Sequence, residues 1–292
     1  MTEELQKLEQ QLEQVEQEYE GSKMEIQFQE VLRSYRGEDQ VISFQTYKST
    51  TKEIKRGFSS GFHYLDEWLN GFQKGDLITI TAPTGMGKTS FSQYLTVKFS
   101  DQKIRSLWFS YEVSVPNFLM KFGANLPDGY LPKVLTERNI TWIERKIVEG
   151  IVKFGTQVVF IDHLHYLFNL RDSKNVSLEI GDIMRGLKII AKKYSITIFI
   201  MAHTGKQRED GTVGLESIRD SSFVGQESDT VIALWRVREK QTKVDIQQNG
   251  IKFTNETMVS LVKNRATGHL GSFKTVYAEG NNYLLPTAAY TL

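Results

Sequence analysis

Cysteine is absent from all 292 residues. No disulfide framework, cysteine zinc site or thiol nucleophile is therefore open to the chain, and any catalysis must use other groups. Histidine is sparse, with five residues, a weak basis for a metal site on its own. No apolar run approaches the roughly 18 residues needed to span a bilayer, so no membrane association is expected. The opening Met1-Thr2-Glu3-Glu4 lacks the basic and apolar regions of a signal peptide, and the expected location is the cytoplasm, or a host's cytoplasm for a phage or mobile element. Internal repeats are also lacking. A net charge of +1 says nothing about nucleic acid until the charges are mapped along the chain.

What is present reads as an ordinary globular protein, with 40% hydrophobic and 24% charged residues. The length accommodates one α/β core of about 200 to 250 residues plus a short appendage. Charge is segregated: residues 1–20 carry seven Glu and one Lys, whereas the stretch from Arg236 to Lys274 includes Arg238, Lys240, Lys243, Lys252, Lys263 and Arg265. Leu5, Leu8, Leu12, Val15 and Tyr19 alternate spacings of three and four, which predicts an acidic amphipathic helix over 1–22. Gly21-Ser22 breaks it. A second helix is expected over 24–36 within a 23–56 linker region, with Lys48-Ser49-Thr50-Thr51-Lys52 read as polar linker.

From about residue 57 to 292 the pattern becomes short β-rich runs separated by helices, as in a parallel sheet covered on both faces. Strands are expected at 77–81, 105–110, 157–161, 196–201 and 229–235, with an antiparallel pair near 258–263 and 273–278. In open α/β sheets, ligands bind at the carboxyl ends of the strands, so the residues there should carry the chemistry.

The first strand runs directly into Ala82-Pro83-Thr84-Gly85-Met86-Gly87-Lys88-Thr89-Ser90 and then into a helical segment. Strand, glycine loop and helix are the context a phosphate-binding P-loop needs. Backbone N–H groups of Thr84, Gly85, Met86, Gly87 and Ser90 would surround the phosphates of ATP, Lys88 would neutralise them, and Thr89 would ligate Mg²⁺. Ala82 departs from the usual first glycine. Val158-Val159-Phe160-Ile161-Asp162 is an apolar strand ending in a carboxylate suited to hold Mg²⁺. Leu107 to Glu112 is another, and Glu112 would act as general base toward water. The strand from Ile196 to Ala202 ends in His203, placed to sense the γ-phosphate. His163 and His165 read as local packing or loop residues rather than a metal pair.

These pieces resemble the DnaB and Twinkle class of ring helicases, superfamily 4. The resemblance runs from about Gly57 to Leu285 and is carried by Gly61-Phe62-His63-Tyr64-Leu65-Asp66, Gly71-Phe72-Gln73-Lys74-Gly75-Asp76, the phosphate loop, Phe109-Ser110-Tyr111-Glu112, Ile161-Asp162-His163-Leu164 and Arg185-Gly186-Leu187-Lys188. It implies a RecA-like P-loop NTPase fold with a mostly parallel central sheet flanked by helices. Glu112 is implied as catalytic base, Asp162 with Thr89 as the magnesium site, and His203 as sensor, as in the phage and mitochondrial branch. Single-stranded DNA contacts are implied for Arg219, Asp220, Ser222 and Lys206, where Ser222 replaces a usual glycine. Lys263-Asn264-Arg265 matches the family's trans-acting pair, with Arg265 as the finger on a neighbour's ATP and Lys263 assisting. A homo-oligomeric, hexameric ring follows, with residues 24–45 as its linker helix, and 5′ to 3′ travel on single-stranded DNA in replication. Two other readings share the fold: a recombinase-like ATPase that binds DNA without unwinding, and a loader or scaffold whose N-terminal helix recruits a replication partner while ATP serves as a switch.

Overall fold

The computed structural model describes residues 41–50, 56–135, 137–167, 176–205, 211–218, 221–241, 246, 250–277 and 284–286. The helices expected over 1–22 and 24–36 lie outside these residues, as do Lys206, Arg219, Asp220 and Lys243. Contacts divide the chain into Met1–Lys55 and Arg56–Leu292. In the first unit, helix α1 (Phe44–Thr50) corrects the linker reading of 48–50. The Ser43 hydroxyl accepts the Thr46 N–H at 3.0 Å, capping the new helix, so Lys48, Ser49 and Thr50 continue a turn already started.

In the second unit, α2 (His63–Leu69) precedes β1 (Leu77–Ala82), followed by α3 (Lys88–Asp101), β2 (Ser106–Ser110), α4 (Val115–Met120), β3 (Gly129–Tyr130), α5 (Ile140–Phe154) and β4 (Val158–Asp162). Then come α6 (Val176–Lys193), β5 (Thr197–His203), α7 (Ser221–Glu227), β6 (Thr230–Arg238), β7 (Phe253–Asn264), β8 (Gly271–Tyr277) and β9 (Leu284–Pro286). One sheet has the order β3-β2-β4-β5-β1-β6-β7-β8-β9. The first six strands are parallel neighbours and the last three are added antiparallel. The short β3 and β9 carried no signal of their own in the sequence.

Side-chain alternation with a period of two sends each central strand into two cores. Ile78, Ile80, Val158, Phe160, Phe199 and Met201 face one, packed against Phe91, Tyr94, Leu95 and Phe99 of α3. Leu77, Val159, Ile161, Ile198 and Ile200 face the other, covered by Trp142, Ile143 and Ile147 of α5 and Met184, Leu187 and Ile190 of α6. Phe160 is sandwiched between Trp108 and Phe199, with ring centroids at 4.5 and 4.8 Å. Such pairs add about 0.5–1.5 kcal/mol each beyond area burial, which rigidifies the strands whose ends carry the site. Helix α5 is bounded by the Asn139 side chain, which accepts the Trp142 N–H at 2.8 Å, and by Gly155 in the left-handed region.

Candidate active site

Register brings the chemistry to one edge. Ala82 of β1 lies opposite His203 of β5, and Ser110 of β2 lies opposite Asp162 of β4, so the carboxyl ends of four parallel strands finish together. The loop after Ala82 turns through Gly85 and Gly87, both at positive φ, where an L side chain would be strained. A Cβ added at Gly85 would meet nothing within 4 Å, which leaves an open cradle in front of the loop. Ala82, which stands where a glycine is usual, is buried in the core against α3, and its carbonyl accepts from Lys88 Nζ at 2.8 Å.

Lys88 is buried and reaches back to Ala82 O, Pro83 O at 3.2 Å and His203 Nδ1 at 3.1 Å. Burial pushes its pKa down to about 8, against the pull of Asp162 and Glu112. Thr89 Oγ1 donates to Asp162 Oδ2 at 2.9 Å. The other carboxylate oxygen, Oδ1, is buried and has no hydrogen-bond partner among the described residues. Burial and the nearby Glu112 raise the Asp162 pKa to about 6, partly countered by the Thr89 hydrogen bond and Lys88. An orphaned anionic oxygen beside a hydroxyl is a hard-oxygen set that fits Mg²⁺.

Glu112 stands two residues beyond β2 and faces His163 Nε2 at 3.9 Å. His163 in turn packs edge-on against His203, ring centroids 4.3 Å apart, so its ring stands beside both Glu112 and His203. Burial and the neighbouring His203, His165 and Lys88 hold its pKa down at about 3, leaving the ring neutral. The sequence offered a signal in His163 directly following Asp162, but not its closeness to Glu112.

A cleft of about 1070 Å³ joins the phosphate loop, Glu112 and His203 to residues that no sequence motif singled out: Lys121, Arg236, Asn255, Thr257, Val276, Tyr277 and Leu284. Lys121, at the end of α4, also acts electrostatically on Asp162. The others come from the antiparallel strands, where Arg236 is opposite Thr257. They meet only through strand pairing, which leaves no local mark in the chain.

Lys263 and Arg265 lie elsewhere. Arg265 N–H donates to Asp229 O at 2.9 Å, and Asp229 N–H donates to Leu77 O at 2.9 Å. The pair thus sits at the start of β1, while the phosphate loop leaves its far end. Six residues at about 3.3 Å each separate the two by roughly 20 Å. Lys263 Nζ donates to Gln226 O at 3.0 Å and to Gly225 O, and Arg265 Nη2 donates to Gln226 O, so both hold the carboxyl end of α7. Burial and the adjacent Arg265 push the Lys263 ammonium below its ordinary value. Asp229 is a structural anchor, accepting from Leu77 N–H at 2.8 Å and from Lys188. Of the expected DNA residues, only the backbone of Ser222, in α7, is described.

A family model described as the DnaB-like helicase C terminal domain matches residues 57–126 and 133–283. The replicative DNA helicase DnaB of Mycoplasma pneumoniae is 27% identical over 253 residues, 72% of this chain and 53% of that protein. A probable replicative DNA helicase of Trieres chinensis is 27% identical over 226 residues, 65% of this chain and 49% of that protein. The chain spans about half the length of these curated relatives. Among solved structures, a chain described as an ATPase domain superposes with a TM-score of 0.67 at 19% identity, covering 84% of this chain and 96% of that one. A DnaB-like replicative helicase, described together with its interactions with primase, superposes at 0.69 with 19% identity, covering 89% of this chain and 70% of that one. The parallel sheet, the P-loop strand and helix, and the matched span all agree: the chain belongs to the DnaB-like helicase C-terminal domain family and has its RecA-like fold.

Proposed function

We propose that the chain is the motor of an ATP-dependent DNA helicase that moves 5′ to 3′ along single-stranded DNA as a homo-oligomeric, hexameric ring in replication, in the cytoplasm. The observation that carries the reading is the separation of Arg265 from its own phosphate loop across the length of β1. A guanidinium at that end of the sheet serves phosphoryl transfer only when it reaches the ATP of a second copy, so the complete site requires assembly.

Thr89 and Asp162 would hold Mg²⁺, which would supply positive charge to neutralise the phosphates. The loop amides from Thr84 to Ser90 orient the phosphates at the head of α3. Lys88, drawn to full charge by phosphate, exchanges its carbonyl partners for oxygens of ATP. Glu112 accepts the proton of the attacking water. His203, in contact with Lys88, reports the γ-phosphate to the segment that follows β5. Arg236, Thr257 and Tyr277 form the far wall of the cleft, suited to the base and sugar. Arg219, Asp220, Ser222 and Lys206 supply the DNA contacts of the channel, with Lys263 assisting Arg265. The acidic segment over residues 1–22 is the contact for a replication partner.

The test measures ATP hydrolysis with and without single-stranded DNA, alongside strand displacement from a forked duplex, for wild type and Arg265→Ala. The expected result is DNA-stimulated hydrolysis with unwinding, both lost in the variant while ATP binding survives. Stimulation without unwinding would instead identify a recombinase-like ATPase, and hydrolysis indifferent to DNA a loader or switch.

A further inference from the structure

Beside the nucleotide cleft lies a second, smaller cavity of about 260 Å³, lined by Ser110, Tyr111, Ser114, Lys133, Arg138 and Tyr166 among others. Lys133 and Arg138 are exposed, and neither is paired with a carboxylate among the described residues. Two cations converging on one cavity without a counter-ion repel each other, and an anion between them removes that repulsion. The arrangement is braced. The Arg138 guanidinium lies over the Tyr166 ring at 5.4 Å, and Tyr166 stacks with Tyr111 at 6.0 Å and 22°. The Tyr111 hydroxyl donates to Glu137 O at 3.1 Å, tying the ring to the residue before Arg138. A guanidinium held over an aromatic face loses less freedom when it binds than one on a free stem.

Size discriminates among ligands. Pockets that enclose a free nucleotide-sized molecule run from about 300 to 1,000 Å³, so this cavity is too small to engulf one. It matches one phosphodiester of a strand crossing its mouth, with hydroxyls and an aromatic face beside two cations, the composition of a sequence-tolerant single-strand contact. Its position gives the contact a consequence. Tyr111 immediately precedes Glu112, and its N–H donates to Asp162 O at 2.8 Å, so the cavity shares a wall with the catalytic edge.

We infer that Lys133 and Arg138, braced by Tyr166 and Tyr111, form a backbone-binding site for single-stranded DNA that abuts Glu112 and adds to the contacts proposed for Arg219. The inference rests on the proposed DNA-dependent motor and deepens it.

The experiment titrates a labelled oligo(dT) against the full chain, with a non-hydrolysable ATP analogue, over a range of salt. Lys133→Gln/Arg138→Gln is compared with wild type, and DNA-free ATP hydrolysis is followed as the control on folding. The double variant should bind at least tenfold more weakly, and its slope of log affinity against log salt should be shallower by about 0.7, from the one phosphodiester that the two cations neutralise together. DNA-free hydrolysis should be unchanged while DNA stimulation falls. Tyr166→Phe should preserve affinity, and Tyr166→Ala should weaken it without altering the salt slope. An unchanged slope in the double variant, with wild type binding normally, overturns this site and leaves the motor reading standing. A wild-type chain that binds no oligo(dT) at any salt overturns both.

Discussion

Thr89, the second residue of α3, donates its hydroxyl proton to Asp162, the last residue of β4, at 2.9 Å. The contact spans 73 positions in sequence and closes the site that the two local motifs only outline. Without bound cation, it leaves one buried carboxylate oxygen unsatisfied among the described residues, and this cost can be read in stability.

The Asp162 carboxyl has an ordinary value of 3.8 and is raised to about 6 in the fold. The folded state therefore favours the protonated form. Its contribution to stability is fully present below about pH 4 and is lost as pH rises to 6, roughly 3 kcal/mol across that window. Asp162→Asn should raise the melting temperature of the nucleotide-free protein at pH 7.5 by several degrees, with the gap narrowing at pH 5. Thermal unfolding at the two pH values checks this, and the same variant should lose magnesium-dependent hydrolysis.

Glu112→Gln keeps size and removes the proposed base. Hydrolysis should fall by about 10²–10⁴-fold with nucleotide affinity little changed. Single-turnover hydrolysis beside equilibrium binding of a fluorescent ATP analogue separates the two effects. Loss of binding of equal size would assign Glu112 a structural role.

Lys88→Ala and Arg265→Ala should each abolish hydrolysis. An equal mixture of the two variants, allowed to exchange subunits, should regain activity at about a quarter of the interfaces, those where an intact Lys88 meets an intact Arg265 from the next copy. Hydrolysis measured against mixing ratio, with its maximum near equal parts, is the expected outcome. A mixture as inactive as its components would place Arg265 outside the chemistry.

Lys188 is largely buried against Asp229, whose carboxylate also holds the first residue of β1. Burial and Asp229 already raise the Asp76 pKa to about 6. Lys188→Met would leave two carboxylates without their nearest cation, and the expected destabilisation is about 3–5 kcal/mol in urea unfolding. Replacing Asp229 in the same background, as Lys188→Met/Asp229→Leu, should recover part of it.

The cofactor loop, the strand-ending Asp162 and the glutamate after β2 were legible in sequence because each is a local device. A strand must run straight into its loop and helix for Lys88 to double back on Ala82, and an apolar run ending in a carboxylate names its own edge of the sheet. Short apolar runs separated by helical segments likewise announced two covered faces. What such runs cannot announce is which strand lies beside which, because burial is a property of one residue and adjacency a property of two. Tertiary structure alone therefore set the order β3-β2-β4-β5-β1-β6-β7-β8-β9, brought His163 to Glu112, and folded Arg236, Thr257 and Tyr277 over the phosphate loop. It also decided the feature with the largest consequence, that Asp229 bolts Arg265 to the start of β1 while Lys88 follows its end. The Lys-x-Arg spacing was visible in the chain, but its distance from the phosphate loop follows from a strand's rigid rise of about 3.3 Å per residue, which only a folded sheet imposes.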